Sequence, residues 1–181
     1  MGCRLAALPE RPFAHLGELR VLNLEFNKLK VLPASAFEGL AKLKVLWLTG
    51  NHYGGDEPEY ERMRKAGNRL EALHKDVFAG LHNLQVLLLH HNRLTSLPEG
   101  IFRDMDRLKV LKLLDNRFKP RLANDDAVFA PLKAVYQLDL RQDSGDDLED
   151  LWESTHTYLS DEFFEGPPSN PRLQRPPTRE L

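Results

Sequence analysis

One spacing constrains this chain more than its composition does. Leucines at Leu84, Leu87, Leu89, Leu94 and Leu97 surround an asparagine at Asn92, in the order LxxLxLxxNxLxxL. The short period-two run sets Leu87 and Leu89 on one side of a strand and Val86, Leu88 and His90 on the other. Asn92 then ends the strand. A segment of this length has one apolar side and nothing within itself to bury it against, so it is stable only beside copies of itself.

The copies are present. The template recurs 24 residues later at Leu108, Leu111, Leu113 and Asn116, 41 earlier at Leu43, Leu46, Leu48 and Asn51, and 24 before that at Leu19, Leu22, Leu24 and Asn27. A fifth copy begins at Val135 with Leu138, Leu140 and Asp143 in the asparagine slot. Phenylalanines Phe13, Phe37, Phe78, Phe102 and Phe129 follow with spacings 24, 41, 24 and 27, so two independent series share one register. Leu8-Pro9, Leu32-Pro33 and Leu97-Pro98 open the return segments, where proline's missing donor costs little because no ladder is needed. About five parallel strands on one face are predicted, with turns and short helical pieces on the other, which is an α/β solenoid.

The interruptions are as informative as the repeats. HYGGDEPEYERMRKAGN, residues 52–68, is an insertion of 17 residues, with Gly54, Gly55 and Gly67 as hinges and EPEYERMRKA as a short helix. Asn51 and Asn68 each fit the turn slot, and the sequence does not choose between them. The insertion reads either as a tolerated surface loop or as a binding loop. A smaller one of three residues lies within RFKPRLANDDAVF, 117–129. Residues 1–18 match only the second half of a repeat, with Leu5, Leu8, Phe13 and Leu16 aligned to Leu29, Leu32, Phe37 and Leu40, and Cys3 at the slot of Asn27. That half-coil exposes its core side, so the expectation is self-association through this end, or a fragment whose upstream repeats once covered it.

Residues 143–171 hold nine acidic residues and no Lys or Arg. Asp146 or Asp147 caps a predicted helix with Leu148, Leu151, Trp152 and Leu159 on one face, an acidic cap over 144–165. From 166 to 181 the chain is proline-rich and predicted to be disordered. Residues 1–142 carry 22 Lys+Arg against 17 Asp+Glu, and 143–181 carry 3 against 10, without any basic cluster dense enough for nucleic acid. A single cysteine excludes an intramolecular disulfide. No apolar leader or membrane-length run is present, which favours the cytoplasm unless the chain is a truncated extracellular protein.

Residues 5–143 resemble the typical 24-residue class of leucine-rich repeats, LxxLxLxxNxLxxLPxxxFxxLxx, seen in Toll-like receptors, variable lymphocyte receptors and small proteoglycans, here without disulfide caps. The resemblance implies that the turn asparagines form a ladder from coil to coil, and that a protein partner binds the concave strand face with no cofactor and no catalysis. On that face the columns are Arg20, Lys44, Gln85, Lys109 and Tyr136; Val21, Val45, Val86, Val110 and Gln137; and Asn23, Trp47, Leu88, Lys112 and Asp139. His90 follows in the next column. The candidate protein-binding residues are Arg20, Lys44, Val45, Trp47, Val86, Leu88, His90, Lys109 and Lys112, with Trp47 read as an exposed hot spot in a charged rim. A structural scaffold segment, or a truncated piece of a larger receptor-like protein, is the alternative. No catalytic motif is present, no metal site is expected, and His90 and His91 should diverge on a strand, with His91 paired to Asp115.

Overall fold

The computed structural model describes residues 5–25, 27–50, 67–118, 126–132, 134–135 and 137–139. Five three-residue strands follow one another: β1 (Val21–Asn23), β2 (Val45–Trp47), β3 (Val86–Leu88), β4 (Val110–Lys112) and β5 (Gln137–Asp139). They pair in sequence order into one parallel sheet. The register is that of the repeat, with Leu22, Leu46, Leu87, Leu111 and Leu138 side by side. One short helix, α1 (Asp126–Phe129), lies in the smaller insertion.

The core forms on one side of this sheet because each strand has a leucine at its centre and another just beyond its end. Leu46, Leu87 and Leu111 are wholly buried together with Leu48, Leu89 and Leu113. Their neighbours Val45, Trp47, Val86 and Leu88 are also buried but stand outside that cluster, as alternation along a strand requires. Behind the sheet the chain returns through successive turns. In the third coil they are closed by Val77 N to His74 O, Leu81 N to Phe78 O and Leu84 N to Leu81 O; in the fourth by Ile101 N to Pro98 O, Met105 N to Phe102 O and Leu108 N to Met105 O. Pro98 thus opens a turn in which its carbonyl accepts and its absent N–H is not missed. The phenylalanines stack inside these turns, Phe37 on Phe78 at 6.0 Å and Phe102 on Phe129 at 6.1 Å between ring centroids.

A bend after every strand would orphan backbone groups, and the asparagines satisfy them. Asn92 Oδ1 accepts from Leu70 N (3.0 Å), while its Nδ2 donates to Leu48 O and Leu89 O (both 2.9 Å). Asn116 does the same for Leu94 N, Leu89 O and Leu113 O. In the second coil the slot is filled by Asn68, which accepts from Leu29 N and donates to Leu24 O and Thr49 O. That settles the choice the sequence left open. The chain therefore departs after Gly50 and rejoins the coil at Gly67 and Asn68, where Gly50 and Asn68 form a parallel bridge. Gly50 has no room for a side chain, since a Cβ there would stand 1.7 Å from the His91 carbonyl oxygen.

The first half-coil enters the same ladder, with Leu5 N donating to Asn27 Oδ1 and Lys28 N donating to Leu5 O. It is open as predicted: Leu5 is 41% and Leu16 37% exposed, whereas their equivalents Leu29 and Leu40 are buried. Exposed polar links join the coils along the back, among them Lys42 to Glu18 and Arg103 to Asp76 (both 2.8 Å), and Arg11 to Glu38. Lys42 and Arg103 hold the Glu18 and Asp76 carboxyls below their ordinary range. The chain divides into two units, Met1–Ser144 and Gly145–Leu181. The predicted helix at 57–66, the acidic cap at 144–165 and the tail at 166–181 lie outside the described residues.

Candidate functional site

The strand face opposite the leucine core brings the predicted residues together in columns. Val21, Val45, Val86 and Val110 are neighbours across the sheet, and so are Asn23, Trp47, Leu88 and Lys112. Below them Lys44 N bonds Arg20 O, Gln85 N bonds Lys44 O and Lys109 N bonds Gln85 O, which sets Arg20, Lys44 and Lys109 in one basic row. Arg20 is exposed, and Lys44 and Lys109 are half-buried.

Burial is where the sequence reading needs correction. Trp47 is not exposed but 8% accessible, and Val45, Val86, Leu88, His90 and Lys112 are buried with it. Alternation along a strand tells which face a side chain occupies, and says nothing of how far the folded chain shields that face. The result is a second apolar layer, Val45, Trp47, Val86, Leu88, Val110 and Leu114, on the far side of the sheet from the leucines.

The polar members lie just past the strand ends. Asn23 Oδ1 accepts from Glu25 N (2.8 Å) and so turns the chain at the end of β1. Loss of water around the Glu25 carboxyl raises its pKa above the ordinary 4.5; Thr49 and Asn23 oppose the shift, the Thr49 hydroxyl from outside hydrogen-bond geometry. The Trp47 indole N–H is buried without an acceptor. His91 Nδ1 lies 2.9 Å from Asp115 Oδ2, the pairing that the sequence suggested. Desolvation lowers the His91 pKa from 6.5, against the pull of Asp115. The two histidines do not diverge. Their rings meet edge to face at 5.0 Å, because His91 has a left-handed backbone (φ 57°) and the extended alternation has already ended at Leu88. Asp115 repeats that conformation one coil on (φ 53°).

Sequence reasoning placed Glu25 and Thr49 in the same outward column as His90 but did not count them among the candidate binding residues. The available cue was their column, two residues beyond Trp47 and Asn23, since alternation returns them to the same face. Among the described residues no group of three or more His, Cys, Asp or Glu side chains is placed to hold a metal ion, and no helix is long and apolar enough to cross a membrane.

A repeated parallel coil with an asparagine ladder and a strand face of mixed apolar and basic columns defines a class of repeat protein. The family profile described as leucine rich repeat matches residues 1–52 and 66–118, and the chain belongs to that family. Comparison with curated protein sequences finds no match. Among solved structures, the Toll–Spätzle complex of Drosophila is similar at 26% identity and TM-score 0.59, over 75% of this chain and 17% of the Toll chain. The TLR13–ssRNA13 complex is similar at 26% identity and TM-score 0.57, over 74% and 17%. An internalin C2 from Listeria monocytogenes shares the fold at 20% identity and TM-score 0.52, over 76% and 47%. The chain thus spans about a sixth of the two receptor chains and about half of the internalin.

Proposed function

We propose that this chain is a protein-binding module that engages its partner through the concave strand face, with no catalytic step. One observation carries the reading: the sheet keeps a row of large apolar side chains, Val45, Trp47, Val86 and Leu88, on the side where the leucine core has no use for them. The basic row of Arg20, Lys44 and Lys109 borders that patch, and an apolar centre within a charged rim is the anatomy of a protein interface. His90 and Lys112 extend the patch across β3 and β4. The Toll relative is seen in complex with Spätzle and the TLR13 relative with single-stranded RNA, and the apolar centre favours protein here.

The test is partner capture by wild-type chain against two variants. Arg20→Glu with Lys109→Glu reverses rim charges that lie outside the core, and Trp47→Ala with Leu88→Ala removes the apolar centre. Trp47→Ala should cost about 2 kcal/mol or more in binding if it is a hot spot, with retention of fold checked by circular dichroism. Equal capture by all three proteins would remove this surface from consideration. The depth of burial of Val45, Val86 and Leu88 supports a second reading, a structural scaffold segment, in which case no variant alters binding and the centre variants lose stability alone.

A further inference from the structure

The residue after each ladder asparagine is basic. Lys28, Arg69, Arg93 and Arg117 directly follow Asn27, Asn68, Asn92 and Asn116. Each is tied by its own backbone to the coil before it, since Lys28 N donates to Leu5 O, Arg69 N to Leu29 O, Arg93 N to Leu70 O and Arg117 N to Leu94 O. Four cations scattered along the chain therefore stand in one column on consecutive coils, one hydrogen-bonded spacing of about 4.8 Å apart. Lys28 and Arg117 are exposed, and Arg69 and Arg93 are half-buried. The column lies past the turn, off the concave strand face.

Elsewhere on its surface the chain pairs cations with acids from coil to coil, Lys42 with Glu18, Arg103 with Asp76 and Arg11 with Glu38. This column is different. Among the described residues, none of its four side chains makes an ion pair or a hydrogen bond. The nearest acids along the chain are otherwise placed, Asp115 against His91 and Glu71 in the same column as Lys30. Arg69 Nε is moreover shut from water without an acceptor. Like charges stacked on neighbouring coils repel one another, and a ligand of opposite charge removes that cost.

The spacing selects the ligand. Carboxylates at i, i+4, i+7 and i+11 of an α-helix share one face and span about 16 Å, against about 14 Å for three coil spacings. The long arms of lysine and arginine absorb the difference. An extended acidic peptide repeats its same-side carboxylates at about 6.6–6.8 Å, so the fourth would stand about 20 Å from the first, beyond the last rung. A single-stranded nucleic acid binds through rings on which its bases stack, and among the described residues no exposed aromatic side chain accompanies the column. We propose that Lys28, Arg69, Arg93 and Arg117 form a docking ladder for an acidic α-helix of a partner protein, laid across the coils. This site is separate from the concave face, and neither reading depends on the other.

The probe is a synthetic helical peptide with glutamates at i, i+4, i+7 and i+11 on an alanine and glutamine background, titrated against the full chain by fluorescence anisotropy. It should bind at low ionic strength and weaken as salt is added, as contacts between exposed charges do. Arg69→Gln and Arg93→Gln should each weaken it about twofold to fivefold, with the thermal transition retained. Lys42→Gln, which removes a cation already paired with Glu18, should leave the affinity unchanged. Failure of the peptide to bind, or an affinity unmoved when Arg69→Gln and Arg93→Gln are combined, would overturn the site. Equal affinity for a peptide with the same four glutamates dispersed around the helix would overturn the match of helix to ladder. Tighter binding of an oligouridine, lost in the same variants, would overturn the choice of a protein partner.

Discussion

Replacing Asn68 by alanine tests the central structural statement, that the ladder of the second coil is completed across the insertion. Asn68 is wholly buried, and alanine would strand the Leu29 N–H, now 3.2 Å from Oδ1, together with the Leu24 and Thr49 carbonyls that Nδ2 reaches at 2.9 and 3.2 Å. A buried donor without a partner costs about 1–3 kcal/mol, and the two carbonyls add about 1 kcal/mol between them. The total is about 2–4 kcal/mol, or about 5–15 °C in Tm for a chain of this size. Asn51→Ala in the same chain should change stability by less than about 0.5 kcal/mol, because the slot is already occupied. Deleting residues 52–68 reverses the roles. It joins Asn51 to Arg69 and restores the spacing of His91, Asn92 and Arg93, so Asn51 becomes the ladder asparagine, and its alanine variant acquires the cost that Asn68 carried. Urea denaturation followed by circular dichroism measures all of these, with a constant m-value showing that the same surface unfolds. The reasoning fails if Asn51→Ala and Asn68→Ala are equally costly in the full chain, or if the deletion no longer unfolds cooperatively.

Phe78→Ala should cost about 3–5 kcal/mol, since the ring is buried and stacked on Phe37 and its loss leaves a cavity between two coils; thermal unfolding reads this directly. Gly50→Ala should destabilise by about 2 kcal/mol or more, because backbone rather than a flexible side chain blocks the methyl group. Glu25 has a raised pKa, so the folded chain holds its proton to higher pH than the unfolded chain does. Its contribution is therefore full below 4.5 and falls as pH rises through the folded value, and Glu25→Gln should stabilise the protein at neutral pH but not at pH 4. His91 has a lowered pKa, so its contribution is full above 6.5 and is lost as pH falls from there through the folded value; urea titrations of wild type and His91→Gln should converge in slope against pH above 6.5 and separate below it.

Much of the site was legible because period-two alternation is a local property of the chain. From Leu46 and Leu48 alone it follows that Val45, Trp47 and Thr49 share the other face, and the cross-strand columns follow from the 24-residue register once the insertions are subtracted. The pairing of His91 with Asp115 followed from the same count, since one coil separates them. What misled was the step from face to exposure. Solvent access at Trp47 depends on everything the fold places near it, and no local pattern encodes that. The divergence expected of His90 and His91 failed for a related reason, because alternation was carried past the residue at which the strand stops.

The sequence by itself determined the repeat, the strand order, the leucine core and the slot each ladder asparagine must fill, because coils that bury one face against neighbours stack only in the order in which they are connected. Tertiary structure alone decided between Asn51 and Asn68. Both satisfy the local spacing, and the choice turns on which amide reaches Leu29 N and Leu24 O in the preceding coil, contacts that span 39 and 44 residues back along the chain. It also decided that the columns opposite the leucine core are buried and that the Trp47 indole N–H stands without an acceptor. Hydrogen-bond satisfaction and solvent access are properties of the three-dimensional surroundings of an atom, and a repeating linear pattern carries them only as far as the repeat itself holds.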